Sequence, residues 1–489
     1  MISVVEENRT WSYWRVLRDG KVSALLAGDA VTNVGDGAII TALPLLTLRI
    51  HGDVPAPLAI SAVEAAPYVL ATVLAFTIGL TRLRIPPRAS IIADCVLRGG
   101  LLAGLGLLAM ADAITLPVLV CGLLVASVFR MVGMSARRLV VTAMVPPEGR
   151  LAANGLLGTS TSLATYAIGP LVGGILAAVR NPGIALLVDG ASLILLLAAA
   201  VVIRPPTTGS VDGETIPASG LRILRRIPLT ARLLVVVFGF NLFYMPVEIA
   251  LPLLVRGPLR GDGLSLGLIW TGFGVGALIG AMLTGLLRKL PERKLLVSII
   301  AGWAAVVLLL TIAPSVPYAV VVLFVGGLIY APFTPVVYTA VQAVLAPDEQ
   351  QPVLTLWTAG STLAAPIGLA LGGPLVQGVG TQGGLLVSAL LTIALVPPRP
   401  PDSAVTPSAP PNRTTSARPT RGEPAQGIHI GGDTTAGARC QIASLRARTL
   451  ASHSRTWFLS RMRNPQSHVA FTPSASIPRL RHSATVLGR

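Results

Sequence analysis

Charge is scarce in this 489-residue chain: Asp, Glu, Lys and Arg make up only 12% of it, against about 25% in a soluble domain. With 53% hydrophobic residues and a mean hydropathy of +0.73, the composition is that of an integral membrane protein. Cysteine is almost lacking. The three present are Cys95, Cys121 and Cys440, the first two within apolar runs, so no disulfide framework is implied. The apolar segments contain no histidine and the chain has no H-E-x-x-H motif, which excludes a zinc protease of that type. A G-x-x-x-x-G-K-[ST] loop is also missing, which excludes nucleotide hydrolysis at the motif level. No catalytic residue, metal ligand or cofactor is expected. A cleavable signal is excluded as well: Glu6, Glu7 and Asp19 stand among Arg9, Arg15, Arg18 and Lys21, and the apolar stretch that follows is too long for a signal core.

What is present is long apolar segments with an internal echo. Gly169-Pro170-Leu171-Val172 recurs as Gly373-Pro374-Leu375-Val376, and Ala42-Leu43-Pro44-Leu45-Leu46 as Ala250-Leu251-Pro252-Leu253-Leu254. The basic turn from Arg82 to Arg88 is matched by that from Arg288 to Lys294, and Pro147-Glu148 by Pro347-Asp348-Glu349. Matches in the same order at one spacing indicate two homologous membrane halves. A span needs ~20 mainly apolar residues. That ruler places twelve, near 22–48, 56–80, 90–110, 116–135, 152–178, 184–203, 233–255, 265–287, 295–313, 318–343, 354–377 and 383–397.

The fold class expected is therefore an all-α membrane protein with twelve transmembrane helices in two pseudo-symmetric six-helix bundles. Its parts are an N-terminal segment, 1–21; the first bundle, 22–203; a linker, 204–232; the second bundle, 233–397; and a basic tail, 398–489, rich in Pro, Ser, Thr and Arg and expected to be disordered. The tail also explains much of the net charge of +17, which splits into +7 before Pro398 and +10 from there on, so no nucleic-acid partner is implied. Nineteen Lys and Arg fall on the N-terminal segment and the loops after even spans, against four after odd spans, which puts both termini in the cytoplasm.

Ionisable groups inside a membrane cost ~2.5 to 3.5 kcal/mol each at a helix centre, so each needs a reason. Asp29, Asn33 and Asp36 share one face of span 1, which should line a wet cavity or the interhelical core. Placed by the predicted ends, Asp29 of span 1 and Arg130 of span 4 are level. Either a span 1 carboxylate exchanges a proton under the influence of Arg130, or the two form a permanent ion pair joining the spans. Asp94 and Arg98, spaced i, i+4 on span 3, suit a local pair with a structural or gating role. Glu64 and Asp189 lie toward the outer side, open to solvation. Glu248 follows the polar and aromatic stretch of Asn241, Leu242, Phe243 and Tyr244 and is a cavity candidate. In span 10, Pro332 and Pro335 break a helix carrying Tyr330, Phe333 and Tyr338; this suits an adaptable apolar site, and an interfacial aromatic belt is the alternative for the tyrosines. Gly272, Gly276 and Gly280, like Gly169 and Gly173 beside Pro170, form helix-packing faces.

These residues resemble the major facilitator superfamily, and more closely its bacterial branch of enterobactin exporters and macrolide efflux proteins. The likeness is carried by the halves, the basic turn with Arg82 and Arg88, the Gly169-Pro170-Leu171-Val172-Gly173-Gly174 element, Gly35-Asp36, and the run from Gly274 to Gly280. It departs from the family pattern at Thr165, where glycine is usual, at Gly133, one residue early, and in the loop between spans 2 and 3, which lacks an aspartate. The resemblance implies proton-coupled antiport by alternating access in a bacterial inner membrane, by a monomer, with spans 1, 4, 7 and 10 around the cavity. Asp29, Asn33, Asp36, Arg130 and Glu248 would then couple protons, and Asn241, Phe243, Tyr244, Tyr330 and Phe333 would line the substrate cavity. Arg82, Arg88, Asp94, Arg98, Gly169, Pro170, Gly173 and Gly174 would serve gating or structure. The partners expected are a small amphipathic molecule (drug, antibiotic or siderophore), protons and the lipid bilayer. A non-transporting membrane sensor, a degenerate transporter and an uptake symporter are the alternatives.

Overall fold

Apolar length dictates the helices, and proline, glycine and the bilayer dictate where they stop. The computed structural model describes residues 13–81, 86–179, 181–203 and 218–396. Arg82, the start of the linker and the tail lie outside them. A short α1 (Tyr13–Arg18) leads into α2 (Gly20–Ile50), whose first amides are capped by the Asp19 carboxylate, 2.9 Å from Lys21 N. Then come α3 (Ala56–Thr81), α4 (Pro87–Ala93) running through a π turn at Asp94–Arg98 into α5 (Gly99–Met110), and α6 (Leu116–Ala143). The next span is α7 (Arg150–Leu163), a π turn at Ala164–Ile168 and α8 (Gly169–Val179), followed by α9 (Ile184–Val202). A short α10 (Ala218–Arg226) precedes α11 (Pro228–Arg256), α12 (Gly263–Leu283), α13 (Glu292–Thr311), α14 (Val316–Tyr330), α15 (Phe333–Val344) and α16 (Pro347–Ala394). The described residues contain no strand.

Among the described residues, ten helical stretches are long and apolar enough to cross a membrane. The last is too long for one crossing: at 1.5 Å per residue, α16 would be about 72 Å, over twice the bilayer core. It is divided at Gly380, whose φ of 78° and ψ of 170° only glycine adopts without strain. With that division and the 26 residues of α3, the structure is consistent with twelve crossings. Span 10 is broken between Tyr330 and Phe333, as Pro332 requires. One boundary needs correction. Span 4 does not end near 135 but runs on as helix to Ala143, which carries Arg137 into the bundle, where it is buried.

Missing side chains set the closest approaches. A Cβ on Gly169 would meet Gly37 Cα at 2.5 Å, and one on Gly173 would strike the Ala38 carbonyl, so α8 lies against α2 almost backbone to backbone. On the other face of α8, Gly174 meets Gly267 of α12, where a Cβ would come to 2.9 Å of its Cα. Pro170, which has no N–H to give, stands just past the π turn at Ala164–Ile168, and Thr271 Oγ1 of α12 donates into that turn, to Ala167 O at 3.0 Å. The repeat of the Gly-Pro element makes the pseudo-equivalent contact from the second half: Gly373 of α16 lies against Ser61 of α3, and the Ser61 hydroxyl donates to Leu369 O at 2.6 Å. Gly272, Gly276 and Gly280 form the packing face expected of them, against the backbone carbonyls of Val320, Phe324 and Leu328 on α14.

Gly169→Leu should lower the apparent melting temperature in detergent, through an overpacking cost of about 1–3 kcal/mol or more, because backbone atoms stand in its way. Gly100→Leu, with nothing within 4 Å of its Cβ position, should leave it unchanged.

Candidate functional site

Seven ionisable side chains converge in the first bundle. Asp36, near the middle of α2, is buried, and its two oxygens face two guanidiniums: Arg98 Nη1 donates to Oδ1 at 2.7 Å and Arg130 Nε to Oδ2 at 3.3 Å. Arg98 also donates from Nε to Asp94 Oδ1 at 2.7 Å, one turn earlier on the same span. Toward the start of α2, Asp29 lies 3.1 Å from Arg137 Nη1, and Arg137 Nη2 is 3.9 Å from Asp94 Oδ2. Asn33 stands between the two aspartates, donating to Asp29 Oδ2 at 2.9 Å and to Thr161 Oγ1 of α7 at 3.3 Å. Arg98, Arg137, Asp94 and Asp189 are each 3% exposed or less.

Helix register explains the pairing. Asp29 and Asp36 are seven residues apart on α2, Arg130 and Arg137 seven apart on antiparallel α6, and seven residues is close to two turns. Each helix therefore presents its charges in line, and the two rows meet as rungs. The expected Asp29–Arg130 pair is thereby corrected: because α6 extends to Ala143, Arg130 is level with Asp36, and Asp29 takes Arg137. Asp189 also departs from expectation. It is not solvated at the outer side but wholly buried, 3.8 Å from Arg98, in space that Gly35 leaves open; a Cβ there would come to 2.5 Å of Asp189 Oδ1. Gly133, between Arg130 and Arg137, likewise makes room for Asp94. Arg88 works elsewhere, donating to the Ala200 and Val201 carbonyls at 3.0 and 2.7 Å, where a cation complements the end of α9.

Above Asp36 opens a cavity of about 220 Å³ between the halves. The first half contributes Asp36, Glu64, Tyr68, Ser127, Arg130 and Tyr166, the second Tyr244, Glu248, Trp270 and Phe273. Arg130 keeps 38% of its side chain exposed and Tyr166 is 49% exposed, although both lie deep within spans. The cavity accounts for that exposure. Glu64 and Glu248 face it from opposite halves and form no ion pair among the described residues. Behind Tyr244 and Phe273 stand Phe240, Trp303, Tyr330 and Phe333, with Tyr330 between 5.5 and 5.8 Å from the rings of Trp303, Phe240, Tyr244 and Phe273. Tyr330 and Phe333 thus back the cavity wall instead of forming it. Asn241 donates to Val237 O at 2.8 Å, and neither it nor Phe243 lines the cavity. Sequence reasoning missed Arg137, which it left in a loop, and the two cavity tyrosines, Tyr68 and Tyr166; a second arginine at i+7 from Arg130 was the available signal for the first.

An all-helical membrane protein with an internal echo and a polar cavity between its halves is built as a transporter. The comparisons agree. The profile of the Major Facilitator Superfamily matches residues 25–265 and 248–461, and the chain belongs to that family. It is 25% identical over 390 residues to the multidrug efflux pump Tap of Mycobacterium tuberculosis, covering 76% of this chain and 90% of that protein. To macrolide efflux protein A of Streptococcus pyogenes it is 25% identical over 266 residues, covering 52% of this chain and 65% of that one. Its fold is like that of the nucleoside transporter NupG, with a TM-score of 0.65 at 12% identity over 77% of this chain and 97% of the other. A bacterial homologue of the lysosomal transporter Spinster has a TM-score of 0.59 at 12% identity, covering 78% and 95%.

A cavity lined by ionisable side chains from both halves makes a labelling prediction. In a background with Cys95, Cys121 and Cys440 replaced, Tyr68→Cys and Tyr166→Cys should react with a charged, water-soluble maleimide. Ile194→Cys, 64% exposed on the outer surface of α9 and so facing the bilayer, should not.

Proposed function

We propose that this protein is a secondary exporter of amphipathic small molecules, driven by protons and working by alternating access. The observation that carries the proposal is the cavity itself: it opens at the junction of the two halves, with the ion-paired Asp36 on the first-half wall and aromatic rings from both halves. Rings of Tyr, Trp and Phe suit the apolar part of a ligand without fixing its shape, and Glu64 and Glu248 offer acceptors for its polar part. The efflux relatives support the direction of transport. Asp36 and Arg130 are assigned to coupling, because both line the cavity and the Asp36 carboxylate ties α6 to Arg98, so a shift in that hold is felt on both spans. Tyr244, Trp270 and Phe273 are assigned to substrate contact, with Tyr330 and Phe333 behind them. Contacts between the halves through Gly174 with Gly267 and Ser61 with Leu369 lie away from the start of α2, so the cavity is taken to open toward the termini. By the Lys and Arg bias this is the cytoplasmic side of the plasma membrane, with the chain acting as a monomer.

Cells expressing the protein should accumulate less erythromycin or ethidium than control cells, and a protonophore should abolish the difference. Asp36→Asn and Arg130→Ala should each return accumulation to the control level with the protein still present in the membrane. Export that persists without a proton gradient contradicts the coupling, and equal accumulation of every probe in a broad amphiphile panel contradicts export.

A further inference from the structure

The buried charges do not balance. Among the described residues, the arginines within 4 Å of Asp29, Asp36, Asp94 and Asp189 are Arg98, Arg130 and Arg137, so this set, fully ionised, carries one negative charge in excess. Three of the carboxylates have a guanidinium nitrogen within 3.3 Å. Asp189 does not: its nearest is Arg98 Nη1 at 3.8 Å, and its Oδ2 has no hydrogen-bond partner although wholly buried. Ser192 offers little to the other oxygen. Its single hydroxyl proton goes to the Asp189 carbonyl at 2.6 Å, and Oδ1 is 3.5 Å away. A bare carboxylate oxygen in a dry interior costs far more than a protonated one. Asp94 Oδ2 also has no hydrogen-bond partner, but Asp94 accepts from Arg98 through its other oxygen at 2.7 Å, so the carboxylate with the weakest hold on a cation is Asp189, which lies on the lining of the cavity.

We propose that Asp189 is the group in this network that binds and releases a proton, and that Arg98 passes between it and Asp36. The same nitrogen, Arg98 Nη1, faces both carboxylates, at 2.7 Å from Asp36 and 3.8 Å from Asp189, and Arg98 Nη2 has no partner. With a proton on Asp189 Oδ2, three carboxylates meet three guanidiniums and Arg98 stays on Asp36. When that proton leaves to cavity water, the new charge draws Arg98 toward Asp189 and loosens Asp36, the residue that also holds Arg130. No other bond forms or breaks. The charged groups around Asp189 are Asp36 from α2, Arg98 and Asp94 from the third span, and Arg130 from α6; α9 itself carries no other ionisable residue. This assignment rests on the proton-coupled reading for its purpose, but not for its test.

Infrared difference spectroscopy of the purified protein in lipid nanodiscs, across a pH titration without substrate, reads the carboxylic-acid C=O stretch directly. Wild type should gain buried carboxylic-acid bands as pH falls, Asp189→Asn should lose one of them while those of Glu64 and Glu248 remain, and Asp189→Glu should move that band's frequency and midpoint. Every band retained in full by Asp189→Asn, or none moved by Asp189→Glu, overturns the proposal; the second variant serves if the first does not fold. Erythromycin export that ignores the proton gradient would defeat the coupling in the proposed function and leave this titration standing.

Discussion

A carboxylate at the centre of a membrane helix keeps its charge only if cations are brought to it, and Asp36 has two. The hold of Arg98 and Arg130 on its opposite oxygens joins α2 to the third span and to α6, and through Arg98 the linkage reaches Asp94 and Asp189. Removing one partner from such a buried pair typically costs about 3–5 kcal/mol, because the other charge is left behind, whereas an exposed pair is worth about 0–1. The glycines are part of the same arrangement. Gly35 and Gly133 are vacant so that Asp189 and Asp94 can reach the arginines.

The halves are alike in topology but not in what fills them. Among the described residues, every buried aspartate and arginine, Asp29, Asp36, Asp94, Arg98, Arg137 and Asp189, belongs to the first half. The second half is centred on stacked rings, with Phe240 and Phe333 4.1 Å apart and Trp303 wholly buried. Charge pairs respond to protonation and aromatic packing responds to apolar ligands. A cavity that borders the charge cluster on one side and the aromatic stack on the other, with tyrosine and glutamate from both halves in its lining, is suited to linking a proton to an amphipathic passenger. The pseudo-equivalent contacts, α8 on α12 and α16 on α3, are made by glycine, serine and alanine without buried charge, which suits surfaces that must slide or part.

How much of this was legible depends on which physical rule governs each part. The spans and their echo were, since bilayer thickness and apolar length are properties of the chain alone. So were the shared face of Asp29, Asn33 and Asp36, the Asp94–Arg98 pair and the glycine face of α12, all fixed by helical periodicity. Pairing across helices was not, because it depends on register. Ending span 4 near 135 put Arg130 level with Asp29 and left Arg137 in a loop, although the matching seven-residue spacings on α2 and α6 contained the right answer. Asp189 was misplaced for a different reason: burying it requires the gap at Gly35, and no local pattern reveals what a glycine on another helix makes room for. Tyr330 and Phe333 were correctly grouped as aromatic but sit one layer behind the cavity, a depth that sequence does not encode.

The central claim is that Asp36 and Arg98 act as one unit at the heart of the bundle, and a double-mutant cycle on thermal stability in detergent tests it most directly. Asp36→Asn and Arg98→Gln should each destabilise strongly, and the double variant should be little worse than either single one, since the second change removes a charge already left without its partner. Costs that simply add would contradict the account, because they would mean that the two side chains do not depend on each other.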